Sequence, residues 1–323
     1  MVVALHLGGL AREGVEPVVK LHLGSGARFN HAAFSPGGAS LAVACLDGSV
    51  KLFSTQTWDL VWETAPRFDT AQVTGVDFSP DGTTIAASSP ERLNVILLGA
   101  GTGTEIGAPV LSDTIPGDPQ GRFIGVTFPV FSPVGTILAC TEGGYGCVKL
   151  VDVETGEELG TPIVHNVHGY GHVLTAFSPD GRRLASSDWE GGRVVIDASS
   201  YEELARKPTA SAYELAFAPD GILYTCAPNR VKRWDGTDWS MSYFGTTDTA
   251  TNYGVTVAVS SDGTRLASAL THLRLWDIES MTLLSARTFS EWDTSGWDSV
   301  RTGACWQEVS PTSQPSRSGV SPR

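Results

Sequence analysis

This sequence is short of cations. Its 22 Lys and Arg stand against 35 Asp and Glu, a formal net charge of −13 at pH 7. An acidic surface repels phosphate, so neither nucleic acid nor an anionic membrane is an expected partner. Charge of either sign is scarce: Asp, Glu, Lys and Arg make up 18% of the residues, low for a helical protein. Cysteine is scarce as well, and the five present are an odd number spread over a long chain, which is no disulfide framework. They read as small, buried, reduced residues. Long apolar runs are missing. The opening Met1–Leu10 has no basic stretch, and its apolar run ends before Arg12 and Glu13. No signal peptide, no membrane span and a cytoplasmic location are therefore expected. There is no glycine loop followed by lysine for phosphate, no Cys/His zinc pairing and no nucleophile elbow. Gly99–Gly103 reads as a turn.

What the chain has in quantity is turn residues, 36 Gly and 18 Pro among 323. They recur in one phrase: Phe34-Ser35-Pro36-Gly37-Gly38, Phe78-Ser79-Pro80-Asp81-Gly82, Phe131-Ser132-Pro133-Val134-Gly135 and Phe177-Ser178-Pro179-Asp180-Gly181. Phe217-Ala218-Pro219-Asp220-Gly221 and Val259-Ser260-Ser261-Asp262-Gly263 complete the series. Pro presets φ, Asp bonds its own backbone, and Gly closes the turn where φ is positive. An apolar stretch follows each time, so each phrase is a strand, a turn and a second strand. The lead residues are 44, 53, 46, 40 and 42 apart, close to the ~40–45-residue period of a four-stranded propeller blade. The long interval holds the loop-like Gly107–Gly121. Two strand-like echoes, Val2–Gly8 and Val18–Gly24, precede the first repeat and suit a hairpin.

These repeats resemble WD40 repeats, best in Leu273-Arg274-Leu275-Trp276-Asp277 and Val231-Lys232-Arg233-Trp234-Asp235, over about residues 18–290. The resemblance implies an all-β, WD40-like β-propeller that serves as a rigid platform for other proteins. Six blades are recognisable, and a seventh, incomplete blade would pool Ala304–Ser310 with the N-terminal strands. Residues 1–309 are read as one propeller, with 1–23 as closing strands and 310–323 as a disordered Ser/Pro-rich tail. The match is degenerate. Phe53-Ser54, Leu98-Gly99, Val151-Asp152 and Ile196-Asp197 stand where the family has Trp-Asp, and the family's structural histidine survives only as His168. The family's buried Asp–His–Ser/Thr–Trp network is thus complete in no repeat.

One cluster invites a chemical reading. His165, His168 and His172 enter the fourth repeat with Tyr170 among them. In a WD40-type propeller that loop shares a face with the loop carrying Asp188, Trp189 and Glu190, and with Glu142 and Tyr145 of the preceding repeat. Imidazoles and carboxylates are zinc ligands, but a Gly-rich loop does not aim such spacings at one point as a helix would. No metal and no cofactor is expected. Tyr145, His165, His168, Tyr170, Asp188, Trp189 and Glu190 are assigned instead to a partner-binding patch, because interface hot spots favour Trp, Tyr and Arg. The inner strands offer only His31, Asp77 and Glu214, on three blades and without evident partners, so no catalytic residue is assigned. The expected function is a monomeric, non-catalytic platform for a protein or peptide. The alternatives are a lactonase-like hydrolase at the channel mouth and a decayed repeat protein that no longer closes.

Overall fold

The computed structural model describes residues 2–5, 19–22, 29–66, 72–89, 95–107, 126–142, 146–165, 173–188, 192–207, 214–227, 230–246, 256–260, 262–269 and 272–288. Among them every regular element is a strand, and no helix is long and apolar enough to cross a membrane. The two N-terminal echoes do pair, as an antiparallel hairpin of β1 (Val2–Leu5) and β2 (Val19–His22).

Six sheets follow in chain order, each an antiparallel meander. The first holds β3 (Phe29–Phe34), β4 (Ser40–Cys45), β5 (Val50–Ser54) and β6 (Leu60–Glu63). The second has three strands, β7 (Gly75–Phe78), β8 (Thr84–Ser88) and β9 (Val95–Gly99). Its expected outer strand at Glu105–Ile106 amounts to a single bridge, Leu98 to Glu105. The third holds β10 (Val126–Phe131), β11 (Ile137–Glu142), β12 (Cys147–Asp152) and β13 (Glu158–Val164). The fourth holds β14 (Val173–Phe177), β15 (Arg183–Asp188), β16 (Arg193–Asp197) and β17 (Glu203–Lys207). The fifth holds β18 (Glu214–Phe217), β19 (Leu223–Ala227), β20 (Arg230–Trp234) and β21 (Met241–Thr246). The sixth holds β22 (Thr256–Val259), β23 (Arg265–Ala269), β24 (His272–Asp277) and β25 (Thr282–Thr288). First strands lie side by side in the order β3, β7, β10, β14, β18, β22. This is the arrangement of consecutive blades in a WD40-like propeller. Ala304–Ser310 and the tail lie outside the described residues.

The repeated phrase builds the turn between first and second strands. In the second sheet Ser79 donates from Oγ to Asp81 (2.6 Å) and accepts from the Thr84 N–H, while Asp81 accepts from the Thr83 N–H. Ser178 with Asp180, and Ser260 with Asp262, repeat the pattern. The closing glycine has φ between +69° and +82° in all six turns, a conformation only Gly adopts without strain. At Gly82, Gly135, Gly181 and Gly263 that glycine also meets the neighbouring sheet. A Cβ on Gly135 would lie 3.1 Å from Pro80, and one on Gly263 would lie 3.3 Å from Pro219. The same five residues therefore turn the chain and seat one sheet on the next.

Second strands alternate their side chains between two seams. Ile85, Leu138, Leu184, Leu223 and Leu266 face the preceding sheet, whereas Ala42, Ala86, Ala139, Ala185 and Tyr224 face the following one. All ten are buried, and each large apolar side chain contributes roughly 2 kcal/mol. One seam stands apart. On the first sheet Phe29, Leu41, Val43, Cys45 and Phe53 are 0–5% exposed, yet this cluster contains residues of that sheet alone. Cys45, Cys140, Cys147 and Cys226 are buried thiols outside any disulfide, as expected.

The rim is packed by exchange of large and small residues. Trp62 of β6 donates its indole N–H to the Ala100 carbonyl of the second sheet, and its ring lies against Gly103. At the third-to-fourth seam the sizes are reversed, with Gly160 of β13 lying under Tyr201. Trp58, Tyr201, Trp239 and Met281 have φ of +54° to +62° and occupy the turn position held by Gly103 and Gly156 in other sheets. A non-glycine there is strained by about 1 kcal/mol or more; the packing of Trp58, Tyr201 and Trp239 into the apolar clusters offsets it, whereas Met281 is exposed.

Candidate functional site

His165 continues the third sheet past β13, where its backbone N–H bonds the Gly146 carbonyl at 2.8 Å. Its side chain crosses to the fourth sheet. There Nδ1 lies 3.1 Å from Oδ2 of Asp188, and Nε2 lies 2.8 Å from Oγ of Ser186. The neutral tautomer satisfies both contacts: Nδ1–H donates to the carboxylate, and the Ser186 hydroxyl donates to Nε2. Asp188 also grips the far end of its own loop, since Oδ1 accepts from the Gly192 N–H at 2.8 Å. Gly192 is required there, because a Cβ would come 2.3 Å from Oδ2 of Asp188.

Carboxylate, imidazole and hydroxyl in this order is the connectivity that activates a serine nucleophile. Access decides against that chemistry at this place. Ser186 is 1%, Asp188 2% and His165 3% exposed, so no acyl carbon can approach Oγ of Ser186. The three instead tie one sheet to the next, the role expected of His168. The structure thus corrects the placement of His165 and Asp188: both are interior, with no surface to offer a partner. Tyr145, His168, Tyr170, Trp189, Glu190 and His172 lie outside the described residues. Among the described residues no three His, Cys, Asp or Glu are grouped to hold a metal.

The pairing registers show where the rest of the network went. Ser186 is matched by Val43, Ala87, Cys140, Thr225 and Ser268 in the other sheets, and Ile196 by Phe53, Leu98, Val151, Trp234 and Trp276. Trp234 donates its indole N–H to Oγ1 of Thr225, and Trp276 donates to Oγ of Ser268, both at 3.0 Å and buried. Counting nine residues from the lead residue picks out Cys226 rather than Thr225. The fifth turn, Ala218-Pro219-Asp220-Gly221-Ile222, is one residue shorter, so the equivalent position comes one earlier.

The inner-strand groups are not partnerless. Nδ1 of His31 donates to the Val76 carbonyl at 3.0 Å, and its ring meets Phe128 edge-on at 5.6 Å. Oδ2 of Asp77 accepts from the Phe131 N–H at 2.8 Å, and Oδ1 from the Phe78 N–H at 2.9 Å. Burial pushes the His31 imidazole down to about 4, although its bond to Val76 pulls the other way. Burial pushes the Asp77 carboxyl up to about 7 against the two backbone N–H groups. A shallow cleft of about 380 Å³ between the first two sheets is lined by Pro36, Gly37, Val61, Gly101 and Asp81 among others. Asp81 is the one ionisable residue of its lining, so the cleft holds no acid–base pair.

The model of the WD domain, G-beta repeat, matches residues 17–54 and 65–92. The match falls on the first two repeats, not on the fifth and sixth, which keep Trp-Asp. No curated protein matches the chain.

Proposed function

We propose that the chain is a non-catalytic platform for a protein or peptide partner, on the premise that it carries WD40 repeats, matched over residues 17–54 and 65–92, and that such repeats generally mediate contacts between proteins. The observation that carries this reading is the His165–Asp188 hydrogen bond. His165 is the residue before the segment 166–172, and Asp188 is the residue before the segment 189–191. A buried bond between them holds together the two points from which the segments with Tyr170 and Trp189 start, residue types suited to a hot spot. His31 and Asp77 are both engaged with backbone, which favours the platform over a hydrolase working at the channel.

Affinity capture with the wild-type chain and with Tyr170→Ala, Trp189→Ala and His165→Ala tests the proposal. One protein should be retained by wild type and lost with each loop variant while the circular-dichroism spectrum stays unchanged. Retention by Tyr170→Ala and Trp189→Ala alike would remove this face from consideration.

We also propose that the β1–β2 hairpin belongs to the sheet that covers the isolated face of the first sheet. Six residues, 23–28, join β2 to β3, as six, 208–213, join the outer strand β17 to β18. A chain lacking residues 1–23 should aggregate, and unchanged size-exclusion behaviour would show the hairpin to be an appendage.

A further inference from the structure

The second sheet is held from both sides by ionisable side chains that reach across to backbone. The ladder registers place Ala33, Asp77, Val130, Ala176, Ala216 and Ala258 at one position of the first strands. Only the second sheet puts a charge-bearing group there. From the first sheet His31 reaches the Val76 carbonyl, and from the next residue, Asp77, a carboxylate reaches the Phe131 N–H of the third sheet. Gly75 stands at the position matching His31, and the His31 ring meets Phe128 of the third sheet edge-on.

We propose that His31 and Asp77 form a proton-operated clamp on β7, setting how firmly the second sheet is held between the first and the third. Both side chains are only half-buried by area, so protons can reach them, but both lie deep among the first strands, where charge is disfavoured. The elements packed on β7 are β3, β4, β8 and β10. β3 brings His31, β8 and β10 bring no titratable residue, and β4 brings Cys45, whose thiol burial pushes up to about 11.

The two groups pull in opposite directions. Asp77 is raised from 3.8 to about 7, so its contribution is full below pH 3.8 and is lost as pH rises through 7. His31 is lowered from 6.5 to about 4, so its contribution is full above pH 6.5 and is lost as pH falls through 4. Between those limits the proton sits on the carboxyl and not on the imidazole, the reverse of their order in water.

The test is the unfolding midpoint of the full chain from pH 4.5 to 8, for wild type, Asp77→Asn and His31→Gln. The wild-type profile should be nearly flat below pH 6.5. Asp77→Asn should lose stability on acidification and His31→Gln should gain it, each by up to tenfold in the unfolding constant per pH unit. Profiles parallel to wild type in both variants would overturn the clamp. Should a variant not fold, NMR of the wild-type chain decides. Titration of the Asp77 carboxyl near 7, with a neutral His31 ring at pH 5, supports the clamp, and ordinary values for either group refute it.

Discussion

In the fourth sheet the buried hydroxyl of Ser186 is met by a histidine arriving from the third. In the fifth and sixth, Thr225 and Ser268 are met by a tryptophan of the adjacent strand in the same sheet. One arrangement couples sheets and the other couples strands within a sheet. In the remaining three sheets the equivalent position is Val43, Ala87 or Cys140 and the tryptophan position is Phe53, Leu98 or Val151. The hydroxyl is therefore present in the three sheets where a histidine or tryptophan meets it, and replaced in the three where Phe53, Leu98 or Val151 stands at the tryptophan position. A buried hydroxyl without a partner costs more than an apolar group of the same shape, which is reason enough for the pattern. The Asp–His–Ser/Thr–Trp network that the WD40 resemblance implies is present here as two halves on different sheets, each with its own partner.

The sharpest way to break this comparison is His165→Ala. It takes the imidazole away from a buried carboxylate, which keeps the Gly192 N–H, and from the buried Ser186 hydroxyl, so denaturant titration should show a loss of about 3–5 kcal/mol. Trp276→Phe removes one neutral hydrogen bond and strands only Ser268, for which roughly 2 kcal/mol is expected. Equal losses from the two would mean that the two halves do the same work. Val43→Thr places a hydroxyl where neither half supplies a partner and should cost about 1 kcal/mol; a neutral result would show that the pattern of hydroxyls is not set by satisfaction. The smallest expected effect is the coupling in a double-mutant cycle of Ser268→Ala with Trp276→Phe, about 0.5–1 kcal/mol.

The fold was legible because its signal is local. Ser79, Pro80, Asp81 and Gly82 make their bonds within a few residues of one another, so spacing alone discloses the turn and the two strands beside it. The site was less legible because its bonds are not local. His165 and Ser186 are 21 residues apart, and Asp77 and Phe131 54 apart. Family spacing pointed to His168, three residues late, since the structural histidine sits at the end of an outer strand whose length the spacing does not reveal. Spacing from the lead residue passes over Thr225 because the turn Ala218–Ile222 is one residue short, which shifts the register behind it by one. Asp77 looked like an isolated channel-wall carboxylate because a backbone N–H on another sheet leaves no mark in the sequence.

The reversed sizes at the rim have a consequence for ancestry and engineering. Trp62 fits only a neighbour that offers Gly103, and Tyr201 only one that offers Gly160. A gene in which these repeats were shuffled would bring two bulky rings, or two glycines, to one junction. At these two junctions each unit thus carries an address for its neighbour, written in the size of a single side chain.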